Sequence, residues 1–146
     1  MFIVVHSYGS HFNYRERYPE EFSVFKPDNV TGIKKGAKET LVNAYDNTIL
    51  YTDSFLSKLI TSLKERNVIS TLFFASDHGE DLLDDGRMRF LHASPNPTYY
   101  QLKIPMFIWF SDAYKDNFPQ KIESVSKNSN KPVATNAIFH TLLDIA

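Results

Sequence analysis

The chain has 146 residues, with 16 basic and 17 acidic side chains and a net charge of −1, so it is long enough to bury a core and carries no excess charge for a polyanion. Its longest basic tract is the pair Lys34-Lys35, which excludes a nucleic-acid footprint. No apolar run approaches the roughly 20 residues of a membrane helix, Met1 leads straight into FIVV without an export signal, and no cysteine is present for a disulfide, a thiolate zinc site or a nucleophile.

In chain order, FIVVHS (Phe2 to Ser7) is β-branched and aromatic and predicts a first strand. The polar, proline-bearing stretch from Tyr14 to Gly36 predicts a loop, with the acids of YPEEF solvated at its surface. Leu41, Tyr45, Thr48, Thr52, Phe55, Leu56, Leu59 and Leu63 then recur at three- and four-residue intervals. That stripe predicts a long crossover helix, and Asn67 is its expected stop. STLFFAS (Ser70 to Ser76) and PMFIWFS (Pro105 to Ser111, with Trp109 in the core) predict two more strands. Neither alternates cleanly, as expected of strands covered on both faces. Asn96 to Ile104 reads as a loop, with NPTYYQ on a rim. TNAIFHTLLDIA has Ala137, Ile138, Thr141, Leu142 and Ile145 at helical spacing and predicts a late packing helix, on which His140 is a structural hydrogen-bonder. Strands alternating with helices define an α/β class, a mostly parallel sheet sandwiched by helices.

Polar clusters follow the strands: His6, Ser10 and His11 after the first, Asp77, His78 and Glu80 after the second, Ser111 and Asp112 after the third. Ligands of open α/β sheets bind at such strand ends. A carboxylate beside an imidazole suits a divalent ion, zinc or manganese. Equally, Asp is a favoured helix N-cap and His78 an ordinary hydrogen-bonder, and the pair alone does not decide between these.

The string SDHGE, preceded by an apolar strand and followed by a loop ending in FLHASP, resembles the metal-binding segment of the sulfatase-like, alkaline-phosphatase-type superfamily. Within it, the chain looks most like the phosphoethanolamine transferases, which modify lipid A and other cell-envelope glycolipids. VVHSYGSHFNYRERYPEEFSVFKP resembles that family's strand and Gly-Ser-His loop, and LVNAYDNTILYTDSFLSKLI its Tyr-Asp-Asn helix. QLKIPMFIWFSD resembles its following core strand, and ATNAIFHTLLDIA its late histidine-containing helix.

The resemblance implies a zinc ion held by Asp77 and His78, with His11 of GSH and His92 of LH facing the transferred phosphate. A dication and two imidazoles would neutralise charge developing on phosphoryl oxygens, and either histidine could protonate a leaving oxygen. Glu80 is expected no nearer than behind the ligands, and His6 to hydrogen-bond in the core. By the same resemblance the donor is a phospholipid and the acceptor lipid A or another envelope glycolipid. The catalytic domain would lie in the periplasm of a bacterial inner-membrane protein, anchored by a segment not in this chain.

The family's threonine nucleophile and a further carboxylate ligand come from segments ahead of its matching first strand, and Thr31, Thr40, Thr48 and Thr52 stand in other contexts. The expectation is therefore a C-terminal portion of a catalytic domain covering 1–146, inactive and weak in zinc binding by itself, with an uncovered face that favours self-association. The relatives' cysteines near Asp28 to Gly36 have no counterpart, and DLLDDGRMR replaces a Leu-Gly-Glu-type loop. That segment predicts a turn with an exposed charge cluster, from which Arg87 or Arg89 could reach an anionic headgroup. Two other readings stay open: a sulfatase or phosphoglycerol transferase of the same superfamily, and a noncatalytic relative whose pocket binds an anion.

Overall fold

The structure, a computed structural model, describes residues 1–29, 36–92 and 94–146, so Thr31 and the Lys34-Lys35 pair lie outside the described residues. It divides into two compact units, Met1–Val4 with Leu59–Ala75 and Met106–Ala146, and Val5–Lys58 with Ser76–Pro105.

In the first unit, β1 (Thr71–Ala75) and β4 (Met106–Phe110) are the strands expected from STLFFAS and PMFIWFS. Ser111 then caps α3 (Asp112–Asn117), its hydroxyl accepting from Tyr114 N at 3.1 Å and from Ser70 N at 3.0 Å. Pro119 opens α4 (Pro119–Asn128), where its missing N–H costs nothing. The late helix is α5 (Ala137–Ile145). Phe110, Tyr114 and Ile145 form the core, with Phe73, Ile108, Ile122, Val125 and Leu142 against it, and the Tyr114 hydroxyl donates to Ile145 O at 3.1 Å. His140 is exposed with its ring against the edge of Phe139, and among the described residues its side chain makes none of the hydrogen bonds expected of it.

The second unit takes most of α1 (Lys38–Glu65), the short strands β2 (Asp81–Leu82) and β3 (Phe90–Leu91), and the four-residue α2 (Tyr99–Leu102). Helix α1 ends as expected: Asn67 takes a left-handed φ of 49° and its N–H returns to Lys64 O at 3.1 Å. Tyr14, Leu41, Ala44, Leu82 and Leu83 make the core, flanked by Phe12, Tyr45, Phe90 and Leu91. The expected stripe is only partly buried. Leu41 and Thr48 are inside, Phe55 is 40 % exposed, and the unforeseen Asn47 is fully buried.

Asn47 holds the segment 18–28 onto α1. Its Oδ1 accepts from Val24 N at 3.0 Å and Phe25 N at 2.9 Å, while Nδ2 donates to Phe25 O at 3.0 Å and Asp28 Oδ2 at 3.2 Å. Asp28 also accepts from Tyr18 OH at 2.9 Å and from the Ser23 hydroxyl. The acids of YPEEF sit outside, Glu20 pairing with Arg15 and Lys26.

Two expectations about the sheet are corrected. The pair within the chain is antiparallel, Thr71 opposite Phe110 and Ala75 opposite Met106. The chain leaves β1 and starts β4 at the same end, where Ser76 N donates to Pro105 O at 3.2 Å, so residues 76–105 close like a long hairpin instead of crossing back as a parallel neighbour requires. The β1 residues are only partly buried, not covered on both faces. Second, residues 2–7 are exposed and form no strand among the described residues, so α1 is not seen to connect two strands here. Composition marks strand-formers, but a ladder also needs an adjacent partner strand. His6, expected in the core, is exposed with that segment.

Candidate metal and phosphate site

The turn after β1 is built by short-range bonds and by α2. Asp77 caps no helix; its Oδ1 accepts from His78 N at 3.0 Å, and the Ser76 hydroxyl donates to His78 O at 2.8 Å. Gly79 N donates to Gln101 O at 2.8 Å, and a Cβ on Gly79 would lie 2.0 Å from Tyr100 O, so only glycine lets α2 seat here. The YYQ of NPTYYQ thus belongs to a short helix that Thr98 caps, rather than to a plain rim loop. Helix α2 is held by buried Asp81, whose two oxygens accept from Thr98 Oγ1 and Gln101 Nε2, each at 2.5 Å. In the sequence, Asp81 marks only the start of a charged loop. The rest of that loop is the expected turn, closed by Leu83 N on Arg89 O at 2.9 Å. Arg87 pairs with Asp85, and Arg89 donates to Asn96 O at 2.5 Å.

Glu80 lies at the centre. Its side chain is 5 % exposed; Oε2 accepts from Tyr14 OH at 3.0 Å, and Oε1 is 2.5 Å from His92 Nδ1 and 3.6 Å from His78 Nδ1. The rings of His78 and His92 overlap with centroids 3.7 Å apart. His78, Glu80 and His92 each offer a ligand atom within 4.8 Å of the others. Burial first, and then the Glu80 charge, push the Tyr14 phenol far above its ordinary range, so it remains a donor.

The three histidines His11, His78 and His92 are tied down at Nδ1. His78 Nδ1 lies 3.0 Å from Gly79 O and His11 Nδ1 2.6 Å from Phe12 O. A carbonyl oxygen only accepts, so the ring proton sits on Nδ1 in both. His92 Nδ1 meets the Glu80 carboxylate in the same way. Each ring therefore keeps Nε2 for a ligand, the arrangement in which a second ring nitrogen held by an oxygen orients a metal-binding or catalytic imidazole.

The spacing of the donor atoms can be compared with what a zinc ion requires. Ligand atoms at about 2.0–2.2 Å from a tetrahedral zinc lie roughly 3.3 Å from each other. His78 Nε2 and Asp77 Oδ2, 3.8 Å apart, need only a small adjustment. Glu80 and His92, at 2.5 Å, are hydrogen-bonded to each other, and His78 Nδ1 is already committed to Gly79. Asp77 and His78 thus offer one pair of donor atoms, and Glu80 Oε1 lies 3.6 Å from Nδ1 of the same histidine.

The structure brings His78 and His92 together and leaves the Asp77 side chain 83 % exposed beside them. His11 is exposed, on a loop that Arg17 clamps through His11 O at 2.9 Å and through its stacking over Tyr8. Phe12 packs edge-on against Phe90, two residues before His92. His11 is outside the His78, Glu80, His92 group.

The sequence pattern of the Sulfatase family matches residues 1–146. The Kdo(2)-lipid A phosphoethanolamine 7''-transferase of Escherichia coli is 37 % identical over 118 residues, 79 % of this chain and 20 % of that protein. Phosphoethanolamine transferase EptA of Helicobacter pylori is 33 % identical over 147 residues, 98 % of this chain and 27 % of that protein. Among solved structures, the integral membrane lipooligosaccharide phosphoethanolamine transferase A of Neisseria meningitidis superposes with a TM-score of 0.81 at 35 % identity, covering 94 % of this chain and 26 % of that one. The C-terminal periplasmic domain of EptC from Escherichia coli in complex with Zn gives 0.65 at 33 % identity, covering 76 % of this chain and 32 % of that one. The chain belongs to the sulfatase family. Its relatives place it with the phosphoethanolamine transferases, as part of an α/β catalytic domain. It spans only 20 % to 27 % of the length of these curated relatives.

Proposed function

We propose that the protein to which this chain belongs transfers phosphoethanolamine from a phospholipid to lipid A or another envelope glycolipid, with zinc as cofactor and its catalytic domain in the periplasm. The observation that carries the reading is the shared state of His11, His78 and His92, each with Nδ1 held by an oxygen and Nε2 left for the reaction. Relatives named for this transfer, and a zinc complex of a neighbouring domain, support it. Zinc, when bound by Asp77 and His78, supplies positive charge against the charge that develops on the phosphoryl oxygens.

The chain's own groups do the rest of its share. Nε2 of His92 takes up a proton and donates it toward a phosphoryl or leaving oxygen, with the Glu80 carboxylate 2.5 Å from Nδ1 balancing the imidazolium. His11 offers a second Nε2 from the Arg17-clamped loop. The attacking threonine and the further carboxylate ligand are supplied by the rest of the protein.

The test has two arms. In the whole protein, His78→Ala is expected to lower transfer from a labelled phosphatidylethanolamine donor by more than about 100-fold, since even outer-layer changes at metal sites cost 10–100-fold. In the 146-residue chain alone, calorimetry is expected to show weak zinc binding and the lipid assay no turnover. Transfer indifferent to His78→Ala overturns the metal assignment. Tight stoichiometric zinc with turnover by the chain alone overturns the division of labour.

A further inference from the structure

We propose that Tyr14 is a positioning residue for His92, acting through Glu80. Three groups from distant parts of the chain form one line of hydrogen bonds: Tyr14 OH to Glu80 Oε2 at 3.0 Å, and Glu80 Oε1 to His92 Nδ1 at 2.5 Å. Tyr14 is fully buried and the Glu80 side chain 5 % exposed. The carboxylate is therefore shielded from water that would otherwise compete for its oxygens, and each oxygen has a separate partner. A carboxylate gripped on one oxygen cannot rotate about its terminal bond, so the other oxygen stays where it fixes the plane and tautomer of the imidazole.

The grip is itself rigid. The Tyr14 ring is wedged edge-on between Phe12, at 5.4 Å, and Tyr45 of α1, at 5.2 Å. The line thus runs from the α1 packing face to the histidine, through a tyrosine that is itself fully buried. This deepens the function proposed above and rests on it only for what His92 does; the hydrogen-bond line itself stands without it.

The test reads the histidine directly, on the 146-residue chain without metal or lipid. Nitrogen-15 NMR of labelled histidines at about pH 8, above the ordinary histidine range near 6.5, reports which ring nitrogen of His92 carries the proton. In the unsubstituted chain His92 is expected as the Nδ1–H form with a strongly hydrogen-bonded signal. Tyr14→Phe keeps the ring in the core and removes only the hydroxyl; it is expected to lose that signature, leaving the averaged tautomers of a free imidazole, while His78 and His11 keep their Nδ1–H forms. A Tyr14→Phe chain that melts at a lower temperature with the His92 signature intact would show a packing role alone and overturn the proposal. Should Tyr14→Phe not fold, the unsubstituted chain still decides, because His92 as the Nε2–H form overturns it. Loss of the transfer function leaves this result untouched, so the two failures are distinguishable.

Discussion

At Gly79 the sequence offers a motif letter and the structure gives its reason. The glycine of SDHGE faces Tyr100 O, 21 residues away, so tightly that a methyl group would overlap a backbone atom that cannot swing aside. Gly79→Ala must push α2 off the turn and break the Gly79–Gln101 bond. Overpacking of this kind costs about 1–3 kcal/mol, and urea unfolding of the variant should show a loss in that range together with a disturbed His78 NMR signal; a variant as stable as the parent would mean that α2 is not braced here. Asp77, His78, His11 and His92 stand out in the sequence because their residue types carry chemistry close to apolar runs. The link between Tyr14 and Glu80 is not legible there, since nothing local says that a tyrosine 66 positions upstream donates to that carboxylate. Asp81, buried at 2 % exposure, was hidden for the same reason: its partners Thr98 and Gln101 are long-range.

Among elements, α1, β1, β4 and α5 could be read from periodicity and β-branched content, because those signals are local. Strand direction could not. It is set by where residues 76–105 return the chain, which hydropathy does not encode. The packing of segment 18–28 on α1 was equally invisible, because it is polar and centred on Asn47 and Asp28. Removing Asn47 strands Val24 N and Phe25 N in a partly buried setting. Since each unsatisfied buried group costs about 1–3 kcal/mol, Asn47→Ala should destabilise by about 3 kcal/mol, measured by urea unfolding. Asp28 gives the same contact a pH dependence. Burial pushes its carboxyl up, but hydrogen bonds from Ser23 and Tyr18 and the charges of Lys26 and Arg15 outweigh that, and the net shift is below the ordinary value. A carboxyl lowered in the folded state adds stability above its unfolded pKa of about 3.9 and loses it as pH falls through the folded value. The stability gap between the parent and Asp28→Asn should therefore be widest near neutrality and close below about pH 4; a gap that stays constant with pH would remove Asp28 from the account.

For the molecule as a whole, the decisive facts are a net charge of −1 and an apolar segment left in the open. Phe2, Ile3, Val4 and Val5 are 69 %, 65 %, 76 % and 58 % exposed, and no strand pairs with them among the described residues. A β-prone, uncharged stretch without proline presents free backbone groups and apolar side chains together, the combination that recruits another chain edge to edge. Near-zero net charge supplies little repulsion to oppose it. The 146-residue chain is therefore expected to self-associate in a concentration-dependent way in sedimentation velocity at pH 7. The double substitution Phe2→Asp with Val4→Lys adds charges on the exposed stretch without touching the Tyr14 or Phe110 cores, and should shift the distribution to monomer while leaving the unfolding midpoint unchanged. A parent chain that stays monomeric at the highest soluble concentration would show that exposure of this segment is not enough to drive pairing. Association undiminished by the double substitution would instead move the contact elsewhere, to the exposed Phe139 and Leu143 of α5.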